Sequence, residues 1–140
     1  MSANQTSAEA GAAGTSAASE RWISIGAGLM ALGVTLGALG AHSLKAHFVE
    51  EGLDWWRTAV LYHMLHALAV IAYGLFLRGR ALRPWPGQLF VLGILLFAGS
   101  LYPMALGAPH WLGMITPLGG SAWILGWIGF TLQARSARAN

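Results

Sequence analysis

Gly33-Val34-Thr35-Leu36-Gly37-Ala38-Leu39-Gly40-Ala41-His42 is the stretch that decides the fold. It is apolar, dense in glycine, and stops at a histidine, followed by Ser43, Leu44 and the charge of Lys45. Read outward, it is the far half of a run, residues 22–44, that holds no Asp, Glu, Lys or Arg. Two more charge-free runs follow, 58–77 and 84–134. Crossing a bilayer takes roughly 20 apolar residues in a helix. The first two runs therefore fit one span each, and the third fits two spans with a turn between them.

Composition agrees. Of 140 residues, 9% are charged and 56% hydrophobic, whereas a soluble domain carries about 25% charged residues. The chain has no cysteine, which excludes disulfides, thiolate catalysis and Cys-ligated metals. Its net charge of +3 comes from arginines at the edges of the apolar runs. No basic stretch interleaved with aromatics forms a soluble face, so nucleic acid is not an expected partner.

Residues 1–20 are rich in Ala, Ser, Gly and Thr, too poor in apolar bulk to order themselves, and are expected to form a disordered cytoplasmic tail. The domain proper is 21–134, with 135–140 as a second cytoplasmic tail. The first helix is expected over 22–41. It exceeds the roughly 7–15 apolar residues of a cleavable signal. Its Gly26, Gly33, Gly37 and Gly40 recur at i, i+7, i+11 and i+14, which is one helical face. In lipid, small residues let helix backbones approach, because hydrophobicity cannot drive helices together there. Gly33, Gly37 and Gly40 are therefore expected to pack. The next segment, 43–57, alternates charged residues with Leu44, Phe48, Leu53, Trp55 and Trp56. It reads as a short amphipathic stretch in the interface, broken at Gly52.

The second helix is expected over 58–77. It carries Tyr62, His63, His66 and Tyr73 inside the apolar run. The third is expected over 87–106. Pro103 removes a backbone donor and frees the Gly99 carbonyl, so a kink is expected there. The fourth covers 112–133. Thr116 is a good N-cap and Pro117 suits the first helical position, so regular helix is expected from Pro117. Gly119, Ala122, Gly126 and Gly129 form its small-residue face, flanked by Trp123 and Trp127.

Basic residues accumulate on the cytoplasmic side. Arg21, Arg78, Arg80, Arg83, Arg135 and Arg138 flank one set of ends, and only Lys45 and Arg57 flank the other. That six-to-two division places both termini in the cytoplasm of a cell (inner or plasma) membrane.

Taken together, Gly37-Ala-Leu-Gly-Ala-His-Ser-Leu44, Tyr62-His-Met-Leu-His-Ala-Leu68, Phe97-Ala-Gly-Ser-Leu-Tyr102, Thr116-Pro-Leu-Gly-Gly120 and Gly126-Trp127 resemble the YgdD-like family of small inner-membrane proteins. That family is a domain of unknown function with eukaryotic transmembrane relatives. The resemblance covers roughly 22–132 and implies a four-helix multi-pass protein, with no established activity, cofactor or substrate. Gly40-Ala41-His42, His66 and Thr116-Pro117 match the family pattern. His63 departs from it, since the resemblance implies other residues there, often glutamine.

Ionisable groups inside a membrane are costly and are candidates for function. His42, His63 and His66 all fall toward the Lys45 end of the expected bundle. Three imidazoles with an open position could hold a metal, or a pair could ligate haem. The competing reading is that neutral imidazoles bridge helices by hydrogen bonds, with Tyr62, Tyr102, Ser100 and Thr116 as partners. No carboxylate lies within the spans to orient an imidazole, no Ser/His/Asp set converges, and the two helical hairpins share no repeat of the transporter kind.

The fold expected is therefore an all-α, multi-pass bundle of four transmembrane helices. Its polar candidates are His42, His66, Tyr102 and Thr116, and its packing candidates are Gly33, Gly37, Gly40, Gly119 and Gly126. The function expected is that of a structural or interaction (accessory) membrane protein, not an enzyme, with no cofactor. Its expected partners are the lipid bilayer and other membrane proteins or further copies of the chain. A small-molecule, metal or haem binder built on His42, His63 and His66 is the alternative.

Overall fold

A computed structural model describes residues 3–137. Among them are four helices long and apolar enough to cross a membrane, and no strand. The fold is thus all-α and multi-pass. Helix α1 is Ala3–Ala41, α2 is Gly52–Phe76, α3 is Trp85–Ala105 and α4 is Thr116–Ser136. Short 3-10 turns, Lys45–His47 and His110–Met114, sit in the connections before α2 and α4. Left-handed glycines, Gly79 (φ 67°) and Gly107 (φ 94°), turn the chain after α2 and α3, a conformation glycine adopts without the Cβ penalty.

Four boundaries differ from the sequence expectation. Within the expected disordered tail 1–20, residues from Ala3 onward continue α1 as helix, while residues 1–2 lie outside the described residues. The reason is cooperativity. Nucleating a helix is costly, but elongating an existing one through alanine-rich sequence adds a hydrogen bond per residue fixed. At 1.5 Å per residue the 39 residues of α1 extend about 58 Å, against a hydrocarbon core of about 30 Å. Of the expected tail 135–140, residues 138–140 lie outside the described residues.

The second helix begins at Gly52, not residue 58. Gly52 is no break: a Cβ there would collide with the Ala105 carbonyl at the end of α3. Val49 N–H donates to that same oxygen at 3.2 Å. The expected interfacial segment shrinks accordingly to the residues before Gly52, and Asp54 lies in the first turn of α2, where the helix dipole favours a carboxylate.

The third helix stays α-helical through Pro103 to Ala105. Its irregularity lies further back, at a π-helical turn over Ile94–Ala98. Gly99 N–H there reaches the Ile94 carbonyl, five residues back. Finally, Thr116 is the first residue of α4 and makes no capping bond. Its hydroxyl points across to α3 instead, 2.7 Å from Ser100 Oγ.

The order of neighbours is α1 on α2, α2 on α3 and α3 on α4. The close approaches are made by glycines, and in several cases an aromatic ring fills the vacated space. A Cβ at Gly26 would meet the backbone N of Ile71 at 2.8 Å and the Ala67 carbonyl at 2.9 Å, so α1 and α2 touch backbone to backbone. Gly33 faces Met64 Cγ at 2.8 Å and the His63 ring, and Gly37 has only Val60 Cγ1, at 3.3 Å. Gly40 is covered by the Trp56 indole, whose Nε1–H donates to the Leu36 carbonyl at 2.9 Å. The same device joins α3 and α4. The Trp123 indole covers Gly93 and donates to the Phe90 carbonyl at 3.0 Å. Trp85 covers Gly129, and a Cβ at Gly119 would meet the Gly93 carbonyl at 3.0 Å. Gly126 rests on the Phe90 ring at 3.0 Å. Each covering indole replaces lipid contact with close ring contact, and two of them add a bond to a helix carbonyl.

Candidate functional site

The polar side chains within the spans form a line through the bundle. It starts at the basic end, where the turn after α2 carries Arg78, Arg80 and Arg83. Tyr73 OH lies 2.7 Å from the Arg83 carbonyl oxygen and 2.9 Å from Gln133 Oε1. Gln133 Nε2 donates to the same Arg83 carbonyl at 2.8 Å. Ser19 of α1, buried, donates to the Gly74 carbonyl at 2.8 Å. These bonds fasten α1, the α2–α3 turn and the last turns of α4 to α2. Tyr73 itself is fully buried, with the Phe130 ring edge-on at 5.3 Å and Trp22 edge-on at 6.2 Å.

Mid-bundle stands His66, 8% exposed. Its ring stacks on Trp123, with centroids 3.7 Å apart and planes 4° from parallel. Tyr62 stacks on the other edge of that indole at 5.7 Å. His66 Nδ1 lies 2.9 Å from the Tyr62 carbonyl, which can only accept, so Nδ1 carries the proton. Trp127 Nε1–H donates to His66 Nε2 at 3.4 Å, so Nε2 presents its lone pair. One neutral tautomer satisfies both contacts. The aromatic rings also explain how α2 and α4, diagonal across the bundle, are joined: the Tyr62, His66, Trp123 and Trp127 side chains fill the gap that their backbones leave.

His63, three residues earlier, faces the opposite way. It is 2% exposed, its Nδ1 is 3.2 Å from Tyr102 OH on α3, and its ring lies against Gly33 of α1. Its Nε2 has no hydrogen-bond partner among the described residues. Tyr102 packs edge-on to Trp56 at 4.7 Å. Ser100 Oγ donates to the Phe97 carbonyl at 2.8 Å, so the Thr116 hydroxyl is the donor in the 2.7 Å bond between them.

The sequence candidates therefore separate into distinct places. His66, Tyr102 and Thr116 all make helix-to-helix or backbone contacts inside the bundle, and His63 joins Tyr102. His42 does not: it follows the last turn of α1 and is exposed. This geometry does not gather His42, His63 and His66 around one point, and the alternative of a metal or haem held by all three finds no support in it. Residues three apart on a helix cannot both face one point when one is turned to α1 and α3 and the other to α4. Among the described residues, no three His, Asp or Glu side chains come together as a metal site.

Sequence reading passed over Ser19 and Gln133, and saw Trp123 and Trp127 only as flanks of a glycine face. The signals present were slight. Gln133 is the lone amide at the end of a long charge-free run, and the two tryptophans are four apart, on the same face as Gly119 and Gly126.

Comparison with known proteins agrees with this architecture. Residues 36–120 match the family described as Protein of unknown function (DUF423). The chain is 40% identical over 116 residues to the UPF0382 membrane protein YwdK of Bacillus subtilis, covering 81% of this chain and 94% of that protein. It is 38% identical over 108 residues to the UPF0382 membrane protein SH2409 of Staphylococcus haemolyticus, covering 76% and 88%. It is 40% identical over 96 residues to a UPF0382 membrane protein of Haemophilus influenzae, covering 68% and 77%. No solved structure matches. With the matched region running from the glycine face of α1 to the start of α4, and with relatives named membrane proteins, the chain belongs to the DUF423 family of membrane proteins of unknown function.

Proposed function

We propose that this multi-pass membrane protein acts as a structural or interaction (accessory) component of a cell membrane, with both termini in the cytoplasm, and that it performs no catalysis. The observation that carries the reading is the use of the intramembrane polar groups. His66, Trp123, Gln133, Ser100 and Thr116 each bond to another part of the same chain, and His63 does so through Nδ1, with Nε2 alone left over. A binding or catalytic site would instead hold such groups ready for a ligand. What the bundle offers outward is apolar surface. In α1 only 17% of the most apolar stretch is buried, and Leu32 and Val34 are about half exposed, at 49% and 53%. Shape and small residues, not charge, would select a partner helix on such a face.

The test is photo-crosslinking in intact cells from Leu32 and Val34, with buried Ala67 as the control. An interaction protein yields an adduct of one defined mass from α1, either with another membrane protein or with a second copy of the chain, and none from Ala67. Adducts with lipid alone from both positions, in cells expressing the chain at native level, contradict the reading.

A further inference from the structure

Between α1 and α2, at the end of the bundle opposite the arginine-rich turn, lies a groove of about 390 Å³. Its floor is made by Gly37, Gly40, Val60 and Met64, and its mouth by Lys45 and Arg57. The glycines explain the space. A Cβ at Gly37 would meet Val60 Cγ1 at 3.3 Å and nothing else within 4 Å, a looser fit than at Gly33 and Gly40 on either side, where other side chains come closer. The polar group nearest the floor, the Trp56 indole, already donates to the Leu36 carbonyl, which leaves the floor apolar.

The mouth is different. Lys45 and Arg57 are the two basic residues at this end of the molecule, they lie on different segments, and both line this one groove. Among the described residues Lys45 has no ion-pair partner, and Arg57 has Asp54 at 3.6 Å. That pair is fully in solvent, with side chains 70% and 84% exposed, so it contributes little and is readily exchanged for a better acceptor. A guanidinium and an ammonium on the rim of an apolar slot match an amphiphile with a negative head and a hydrocarbon tail, and Glu50, Glu51 and Asp54, at the same end of the molecule, do not line it.

We propose that this groove binds one anionic phospholipid from the leaflet on the Lys45 side, its phosphate held between Lys45 and Arg57 and one acyl chain laid against Gly37 and Val60. The charge complementarity of the mouth and the apolar floor select both halves of the molecule. A free phosphate would use only the mouth.

The experiment uses the full chain, delipidated in mild detergent and examined by native mass spectrometry with equal amounts of dioleoyl phosphatidylglycerol and dioleoyl phosphatidylcholine. A cation near a net-anionic headgroup contributes about a factor of five, a gain that the choline of the zwitterionic lipid cancels, so two give a preference of about twenty-five-fold for phosphatidylglycerol. Lys45→Gln and Arg57→Gln should each lower the preference about fivefold and together abolish it, with helix content unchanged by circular dichroism, since both side chains are exposed. Glycerol 3-phosphate at the same concentration should not displace the lipid. Equal retention of the two lipids by the native chain, a preference surviving in the double variant, or displacement by glycerol phosphate overturns the proposal.

Discussion

His66 illustrates how one residue is held by several weak contacts. Its Nδ1 bonds the Tyr62 carbonyl, its Nε2 receives the Trp127 N–H, and its ring stacks on Trp123. Glutamine can keep part of the hydrogen bonding but not the stack, so His66→Gln should lose about 1 kcal/mol. His66→Leu should lose about 2 kcal/mol, because the Trp127 N–H then has no acceptor. Thermal unfolding in detergent measures both, and a leucine variant as stable as the glutamine one would show that the hydrogen bonds contribute nothing. His63→Gln should lie within about 0.5 kcal/mol of the parent, since Nε2 has no partner to lose and the glutamine amide can still pair with the Tyr102 hydroxyl that Nδ1 meets. The glycines divide as sharply. Gly40→Ala drives a methyl into the Trp56 indole and should cost about 1–3 kcal/mol by overpacking. Gly28→Ala has nothing within 4 Å and should be neutral or stabilising by about 0.5–1 kcal/mol. Equal effects at the two positions in the same melting assay would mean that the face is not a contact. That one face of α1 is made of glycine was legible from spacing alone. Which ring lies on which glycine was not, because it depends on the axial register of two helices, and no local pattern encodes that.

At the scale of elements, α3 and α4 are joined by ring-on-glycine packing and by the 2.7 Å bond that Ser100 and Thr116 share just beyond the π-helical turn. A double-mutant cycle with Ser100→Ala and Thr116→Val should give a coupling of about 0.6 kcal/mol, the usual worth of a hydrogen bond between membrane helices. A coupling indistinguishable from zero would assign Thr116 to solvent or lipid. The number and order of the helices were legible in the charge-free runs, but their ends were not. Charge marked the start of α2 too late, because a helix end at the interface tolerates Asp54 and Arg57 in its first turns. The π-helical turn over Ile94–Ala98 was invisible, since Ile, Leu, Leu, Phe and Ala are ordinary helix residues. Pro103 lies inside an α-helical stretch that continues to Ala105. Thr116 looked like an N-cap by type and position, and a tertiary partner, Ser100, claimed its hydroxyl instead.

For the whole molecule, four spans and a basic end make one connected claim. Among the described residues the candidate spans number four, an even number that would put the two ends of the chain on one side, and five of the seven described basic residues flank that end. The polar line from Arg83 through Tyr73 and His66 to Thr116 then runs inside the bundle, and the groove at Lys45 opens on the opposite leaflet. The sequence carried the architecture because hydropathy and charge are distributed along the chain. It carried little about the site, because the bonds of His66, Gln133 and Ser19 join residues far apart in sequence. The most direct measurement is a reporter that is active only outside the cytoplasm, fused after Asn140 or inserted at Glu51 between α1 and α2. Four spans with the arginine-rich ends inside require silence after Asn140 and activity at Glu51. Activity after Asn140 would contradict either the even number of spans or their orientation.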